Sequence, residues 1–549
     1  TARNIALRNE RRAIQADPQA QTKHERSSWP RYNPSEDISP SLSFQDDVLK
    51  KFELEYIDII PKSWTVISIS LTENRHELLL TKLQSCQSPF ILRLPLGRNS
   101  SIDTDEEIFD YEQGRAELRE IVRLANMTAH DAGSRVSREA RLSWWEEREA
   151  LDARMKDLLE NVERVWLGGF VGIFSQHKRR PDLLALFQKS FQNILDKYLP
   201  SRQKKSKRKL SSRITLDSQI LELFIGLGDV CDDSHDLSEP LLDLLYFVVD
   251  ILQFHGELNA YAEIDFDMIV LETMDALRCY HEAARVTGQV DEDGHIILIL
   301  DKSLHSFPWE SLPCLDGVAV SRLPSLESLR ERISSRHKIL DVSESDGHYI
   351  NREKGSYILN PGGDLEHTLG MFQKKLQNLS GWKGITNRKP SEDEFKDSLL
   401  HSDIFLYFGH GSGSQYIRAR EIQKLPHCAV AMLMGCSSGS LTEAGEFEPY
   451  GPPMNYMHAG SHALVATLWD VTDKDIDRFA KSTIENWGLL EPELDPRFEA
   501  KKEKRNGDLD TNKSSMSLVE AVTKGRNACK LRYLNAAAVC VYGVPVYFK

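Results

Sequence analysis

Two short apolar runs late in the chain, each closed by glycine, restrict what it can fold into. Asp403-Ile-Phe-Leu-Tyr-Phe408 runs into Gly-His-Gly around His410, and Ala429-Val-Ala-Met-Leu-Met434 runs into Gly-Cys-Ser-Ser-Gly around Cys436. Continuous apolar runs of that length read as strands buried on both faces, as in a parallel sheet. Side chains at the carboxyl ends of adjacent parallel strands meet over one crevice, where α/β folds bind their ligands. A thiol and an imidazole brought together there form a nucleophile–base pair, because a thiol needs a base or a positive neighbour to become thiolate. The pattern points to a cysteine hydrolase.

The surrounding sequence supports that frame. His295-Ile-Ile-Leu-Ile-Leu300, Val318–Val320, Ser356–Leu359, His462–Trp469, Ala536–Tyr542 and Val544–Phe548 read as further strands. Helical patterns over Leu365–Leu379, Thr472–Trp487 and Ser517–Leu534 lie between them. Such alternation predicts an α/β fold with a mainly parallel sheet flanked by helices. Before it, Ser63–Leu71, Glu77–Thr81 and Phe90–Leu94 read as pairing strands, and Asn99–Glu107 as a polar linker. From about 109 to 286 the pattern is helical, with segments near 181–198, 216–227, 239–254 and 265–286. Ser143 with Glu146 reads as a capping box opening one of these helices, with Trp144, Leu151, Met155, Leu158, Val162 and Val165 on one face. Two domains are expected: a mixed α/β domain over 1–290 with the helical block inserted, and a catalytic domain over 291–549.

Composition narrows the class. A chain of 549 residues exceeds one core. Its net charge of −14 argues against bulk nucleic-acid binding and favours a basic partner or substrate. Eight cysteines without a Cys-x-x-Cys pair make neither a disulfide framework nor a zinc site. No run approaches a membrane span and no signal peptide opens the chain, so an intracellular, reducing compartment is expected. A first residue of Thr rather than Met suggests a fragment of something larger. The basic run Ser201–Lys209 reads as a nuclear localisation signal, a contact for an acidic partner, or a solvated loop.

The order strand–Gly-His-Gly, then strand–Gly-Cys-Ser-Ser-Gly, resembles the caspase-like cysteine peptidases. Within them, Phe408–Tyr416, Met434–Ser440 and Ala466–Asp477 closely resemble the separase family, as do Phe307-Pro-Trp-Glu-Ser311 and Tyr357–Asp364. The likeness covers most of 295–549. It implies a caspase-like catalytic domain preceded by a degenerate protease-like domain that helps form the substrate surface. It also implies cleavage of the kleisin subunit of cohesin after arginine in Glu-x-x-Arg sites at anaphase. Securin would be the inhibitor and pseudosubstrate, and the location cytoplasmic and nuclear, on mitotic chromosomes. The large helical superstructure of full-length separases lies outside this chain.

In such a site Cys436 attacks the carbonyl and His410 moves the protons. The Gly411 and Cys436 backbone N–H groups would receive the oxyanion. A third residue orienting His410 is not readable from the sequence. Selecting arginine calls for a carboxylate, whose two oxygens match the guanidinium fork. Asp473 and Asp477, four apart on one helix, share a face, and Asp477 is preferred over Asp473. Asp301 and Glu310 are lesser candidates; Arg418 and Lys474 are the cations considered for the substrate glutamate.

No metal or cofactor is expected, since His427, His458 and His462 lack ligand spacing around His410. Cys428, Cys529 and Cys540 read as packed thiols, and Ser437 and Ser438 as nucleophiles only in place of Cys436. Two readings from other classes stay open on the residues: a caspase-like peptidase of different primary specificity, and an interaction module whose peptidase site is idle.

Overall fold

The computed structural model describes residues 50–97, 109–130, 137–177, 180–203, 214–230, 236–286, 294–337, 347–491 and 516–549. Among these, eleven strands form one sheet. They are β1 (Trp64–Leu71), β2 (Glu77–Leu83), β3 (Phe90–Pro95), β4 (His295–Leu300), β5 (Ala319–Arg322), β6 (Gly355–Leu359), β7 (Lys383–Thr386), β8 (Ile404–Phe408), β9 (Val430–Leu433), β10 (Ala463–Thr467) and β11 (Val539–Gly543). Their spatial order is β3-β2-β1-β4-β5-β11-β10-β9-β8-β6-β7. Only β1–β2, β2–β3 and β10–β11 run antiparallel among the neighbouring pairs. The expected mainly parallel sheet is therefore present, flanked by helices.

The continuous apolar runs have a plain cause. Successive strand residues point to opposite faces, and here each face has its own core. On β8, Ile404, Leu406 and Phe408 enter one core while Phe405 and Tyr407 enter the other. On β4, Ile296, Leu298 and Leu300 divide from Ile297 and Ile299 in the same way. With both faces covered there is no polar side to alternate with.

The sheet continues across the expected boundary at 290, because β1 pairs in parallel with β4 along its length (Val66 opposite Ile297, Ile69 opposite Leu300). The helical block supplies Tyr111–His130, Arg138–Asn161, Pro181–Tyr198, Ser218–Ile225, Ser238–Phe254 and Phe266–Val286. Its apolar faces join the same core as Ile67, Ile69 and Leu298.

Three local expectations need correction. Ser137, not Ser143, caps its helix, accepting from the Ala140 N–H at 3.1 Å. Ser143 sits within that helix, donating to Glu147; the Arg138–Leu142 segment carries no residue that would stop a helix. The helix expected over Ser517–Leu534 stops at Gly525, which packs against Thr483 too closely for any side chain. Val546–Phe548 leaves the large sheet and pairs in parallel with His348–Ile350. Gly543, at φ 130°, and Pro545 between the two strands turn the chain away. The polar stretch Asn99–Glu107 and residues 204–209 of the basic run lie outside the described residues.

Candidate active site

Four adjacent parallel strands deliver the site. β6, β8, β9 and β10 are neighbours in the sheet, and the loop leaving the carboxyl end of each carries a reactive group. These are Asp364 after β6, His410 after β8, Cys436 after β9, and Asp470 with Asp473 after β10. His410, Cys436, Asp473 and Asp477 line one pocket with Leu365, Val471 and Ile476. The expected groups thus converge on one crevice.

The nucleophile loop is held against β10 by a dense set of bonds. Ser438 Oγ donates to Leu433 O (2.8 Å), Thr467 Oγ1 donates to Gly435 O (2.8 Å), and the Gly439 N–H donates to Thr467 O (2.7 Å). Ser437, at φ 53°, donates its N–H to Trp469 O and its Oγ to Asp470. Both serines are committed to this scaffold. The Gly435 backbone meets the Gly-His-Gly loop so closely that an added Cβ would lie 2.1 Å from Gly411 O and 2.4 Å from Gly409 O. That loop is fixed in turn by Tyr407 Oη and Gln415 Nε2, which both donate to His410 O (2.9 and 3.2 Å). No backbone acceptor among the described residues takes the Gly411 or Cys436 N–H.

The electrostatics describe a resting thiol. Cys436 Sγ donates to Val471 O at 3.3 Å. Burial pushes the thiol up to about 11, and the Asp470 and Asp473 carboxylates push the same way. His410 makes no hydrogen bond to the thiol. Its Nε2 meets Asp364 Oδ2 at 2.7 Å instead. Asp364 is the functional-site residue that sequence reasoning passed over; it closes the Tyr357–Asp364 motif, but nothing local reveals its partner 46 residues away.

Asp473 and Asp477 share the face expected of them. Asp477 is buried, and its Oδ2 accepts from Thr368 Oγ1 and faces His367 Nδ1, each at 2.9 Å. Burial holds its carboxyl above the usual range, against the pull of His367 and Thr368. Asp473 is exposed at the rim, and partial desolvation in the concave pocket raises it too, opposed by His410. Asp475 between them serves the fold: it accepts from the Lys530 and Leu531 N–H groups and from Asn535 Nδ2. Asn535 Oδ1 accepts from the buried Arg148, and Asp470 N donates to Asn126 Oδ1, so two helices of the N-terminal block brace the site.

The lesser candidates fall elsewhere. Glu310 is buried in a two-pronged pair with Arg322 (2.6 and 2.7 Å), and Asp301 accepts from the Leu71 and Lys302 N–H groups. Arg418 and Lys474 are exposed, and neither lines the pocket. Among the described residues, no group of three or more His, Cys, Asp or Glu is placed to hold a metal ion. No described helix is long and apolar enough to cross a membrane.

A family model described as separin, protease domain, matches residues 73–476. The chain belongs to the separin protease-domain family. It is 51% identical over 544 residues to the separin of Emericella nidulans, covering 99% of this chain and 25% of that protein. Separin of Schizosaccharomyces pombe is 43% identical over 514 residues, covering 93% of this chain and 26% of its own. The chain thus spans about a quarter of the length of these curated relatives. Crystal structures of the Saccharomyces cerevisiae separase–securin complex at 3.0 and 2.6 Å resolution superpose over 100% of this chain and 33% of theirs, with TM-scores of 0.80 and identities of 32% and 30%.

Proposed function

We propose that this chain is the catalytic part of a cysteine endopeptidase of sister-chromatid separation, with His410 and Cys436 as its dyad. The observation that carries the reading is one crevice holding a thiol, an imidazole and two acids, on a chain of the separin family.

The chemistry follows from the groups present. Cys436 gives its proton to His410, and the thiolate attacks the carbonyl carbon after the substrate arginine. The Gly411 and Cys436 N–H groups, without backbone acceptors, take the tetrahedral oxyanion. Collapse expels the amine, which receives the proton from His410, and leaves a thioester. His410 then takes a proton from water as it attacks the thioester carbonyl, the C–S bond breaks to release the acid, and His410 returns its proton to the Cys436 thiolate. Water-poor surroundings keep the resting thiol neutral, so the thiolate forms only as the imidazole takes the proton.

Asp477 binds the arginine, assisted by Asp473. Its burial makes it an effective partner for a guanidinium that has shed its own water, since charge pairing strengthens as solvent is excluded. The substrate is the kleisin subunit of cohesin, cut in Glu-x-x-Arg sites at anaphase. Securin is the partner, by likeness to the Saccharomyces cerevisiae separase–securin complexes, and we read it as an inhibitor that occupies the site as a pseudosubstrate. The protein works in cytoplasm and nucleus, on mitotic chromosomes. Residues 1–290 contribute substrate surface and 291–549 the catalytic machinery.

The test is cleavage of a fluorogenic Glu-x-x-Arg peptide by the chain beside Cys436→Ser and His410→Ala. Turnover by the unaltered chain and none by either variant is expected. Equal turnover by all three, or none by a correctly folded unaltered chain, overturns the reading.

A further inference from the structure

The loop between β6 and the helix Glu366–Gln377 is built with more care than a surface turn requires. Asn360, buried and at φ 52°, donates its N–H to Phe408 O at 2.8 Å. Its Nδ2 donates to Asn387 Oδ1 (2.8 Å), and its Oδ1 accepts from the Leu365 N–H (2.9 Å). Gly363, at φ 81°, completes the turn, bonding back to Asn360 O. Beyond the loop, Phe372 stacks on Phe408 with ring centres 4.3 Å apart. Both sides of the loop are therefore tied to Phe408, two residues before His410. Asp364 rides on this frame.

The 2.7 Å contact between Asp364 Oδ2 and His410 Nε2 has a chemical consequence. An ionised carboxylate only accepts, so the ring proton must sit on Nε2, leaving the Nδ1 lone pair as the base. We infer that Asp364 is the positioning residue of the catalytic base: it fixes the His410 tautomer through Nε2 and offsets the positive charge of the imidazolium once Nδ1 has taken the Cys436 proton. This inference rests on the peptidase reading and extends it from a dyad to a carboxylate–imidazole–thiol relay of one proton. In that step the S–H bond breaks, an N–H bond forms at Nδ1, and Asp364 remains ionised.

The charge balance around the ring explains the need. Transfer separates charge in a site where Asp470 and Asp473 disfavour a thiolate and the buried Arg148 favours it. Asp473 also attracts the protonated ring, but it acts on both partners at once. The other nearby acid, Asp477, is engaged with His367 and Thr368. Asp364 contacts the imidazole directly, at 2.7 Å from Nε2, whereas Asp470 and Asp473 act on the thiol. Both side chains of the pair are more than half exposed, so water screens the attraction and the effect is moderate.

The experiment compares Asp364→Asn, which keeps an acceptor without charge, and Asp364→Ala, which keeps neither, with the unaltered chain. Two readouts are used: turnover of the Glu-x-x-Arg peptide against pH, and the iodoacetamide alkylation rate of Cys436, followed by mass spectrometry of its peptide. In Asp364→Ala, kcat is expected to fall about tenfold, with KM held within about twofold, and neutral-pH alkylation to slow comparably. Asp364→Asn should fall between, and both variants should need higher pH for full alkylation. A merely structural ion pair would move neither the alkylation profile nor the kcat-against-KM split. Wild-type turnover and alkylation in both folded variants overturns the inference. Absence of turnover in the unaltered chain would fault the peptidase reading, while the alkylation comparison would still decide the role of Asp364.

Discussion

Gly435→Ala tests whether the two catalytic loops work only at their present separation. Gly435 does not adopt positive φ, so its backbone would accept alanine and space alone decides the outcome. The added Cβ would lie 2.1 Å from Gly411 O, 2.4 Å from Gly409 O and 2.9 Å from Gly411 N. All three atoms are backbone, so no side chain can rotate away, and the loops must part by about 1 Å to admit the methyl. That displacement moves Cys436 relative to His410 and shifts the Gly411 N–H. A misplacement of about 1 Å in a reacting constellation costs on the order of a hundredfold in rate. The overpacking itself costs roughly 1–3 kcal/mol, which a protein of this size should survive folded. The assay is kcat/KM on the arginine peptide, with thermal melting to show that the fold persists. Gly370→Ala is the control: its Cβ meets nothing within 4 Å on an exposed helix turn, and it should gain about 0.5–1 kcal/mol with unchanged kcat/KM. A folded Gly435→Ala with wild-type kcat/KM would refute the reasoning.

Four further outcomes are expected. Asp477→Asn should lower kcat/KM for an arginine substrate by about 10- to 100-fold, the worth of a hydrogen bond to a charged group; an equal loss on a substrate with a neutral residue in place of arginine would show that Asp477 serves the fold. Because burial holds the Asp477 carboxyl above its ordinary value, a guanidinium must displace its proton where the acid is protonated, so affinity for an arginine-based peptide aldehyde should fall as pH drops below neutral; calorimetry in two buffers at acid pH would detect proton release, and none would contradict the assignment. Glu310→Gln should destabilise the protein by about 3–5 kcal/mol, since Arg322 would stay buried without its partner; urea unfolding at neutral pH measures this, and a loss below about 1 kcal/mol would count against it. His295 is buried with Nε2 on Ser321 Oγ, and burial pushes it down to about 3. Its folded value lies below the unfolded one near 6.5, so stability is complete above that pH and declines toward 3, by at most about 1.4 kcal/mol per unit; His295→Gln should flatten the decline in urea midpoint between neutral and acid pH, and an unchanged slope would exclude His295 as its source.

What the sequence determined by itself was whatever depends on near neighbours. Apolar runs bounded by glycine marked β8 and β9, because a strand buried on both faces cannot alternate, and the residues following them were therefore His410 and Cys436 at strand ends. A four-residue interval put Asp473 and Asp477 on one helical face, since 3.6 residues make a turn. Ser143 misled for the same reason: a capping box is a local pattern, and Ser137 supplied the actual cap six residues earlier. Tertiary structure decided everything set by strand order. It placed β6 beside β8, bringing Asp364 to His410. It joined β1 to β4, so that the N-terminal strands extend the catalytic sheet. It also turned Glu310 inward to Arg322, away from the pocket its acidity had suggested. Periodicity reports which way a side chain faces, but not what another strand brings opposite it; that depends on pairings between residues distant in the chain, whose choice rests on the packing of both cores at once.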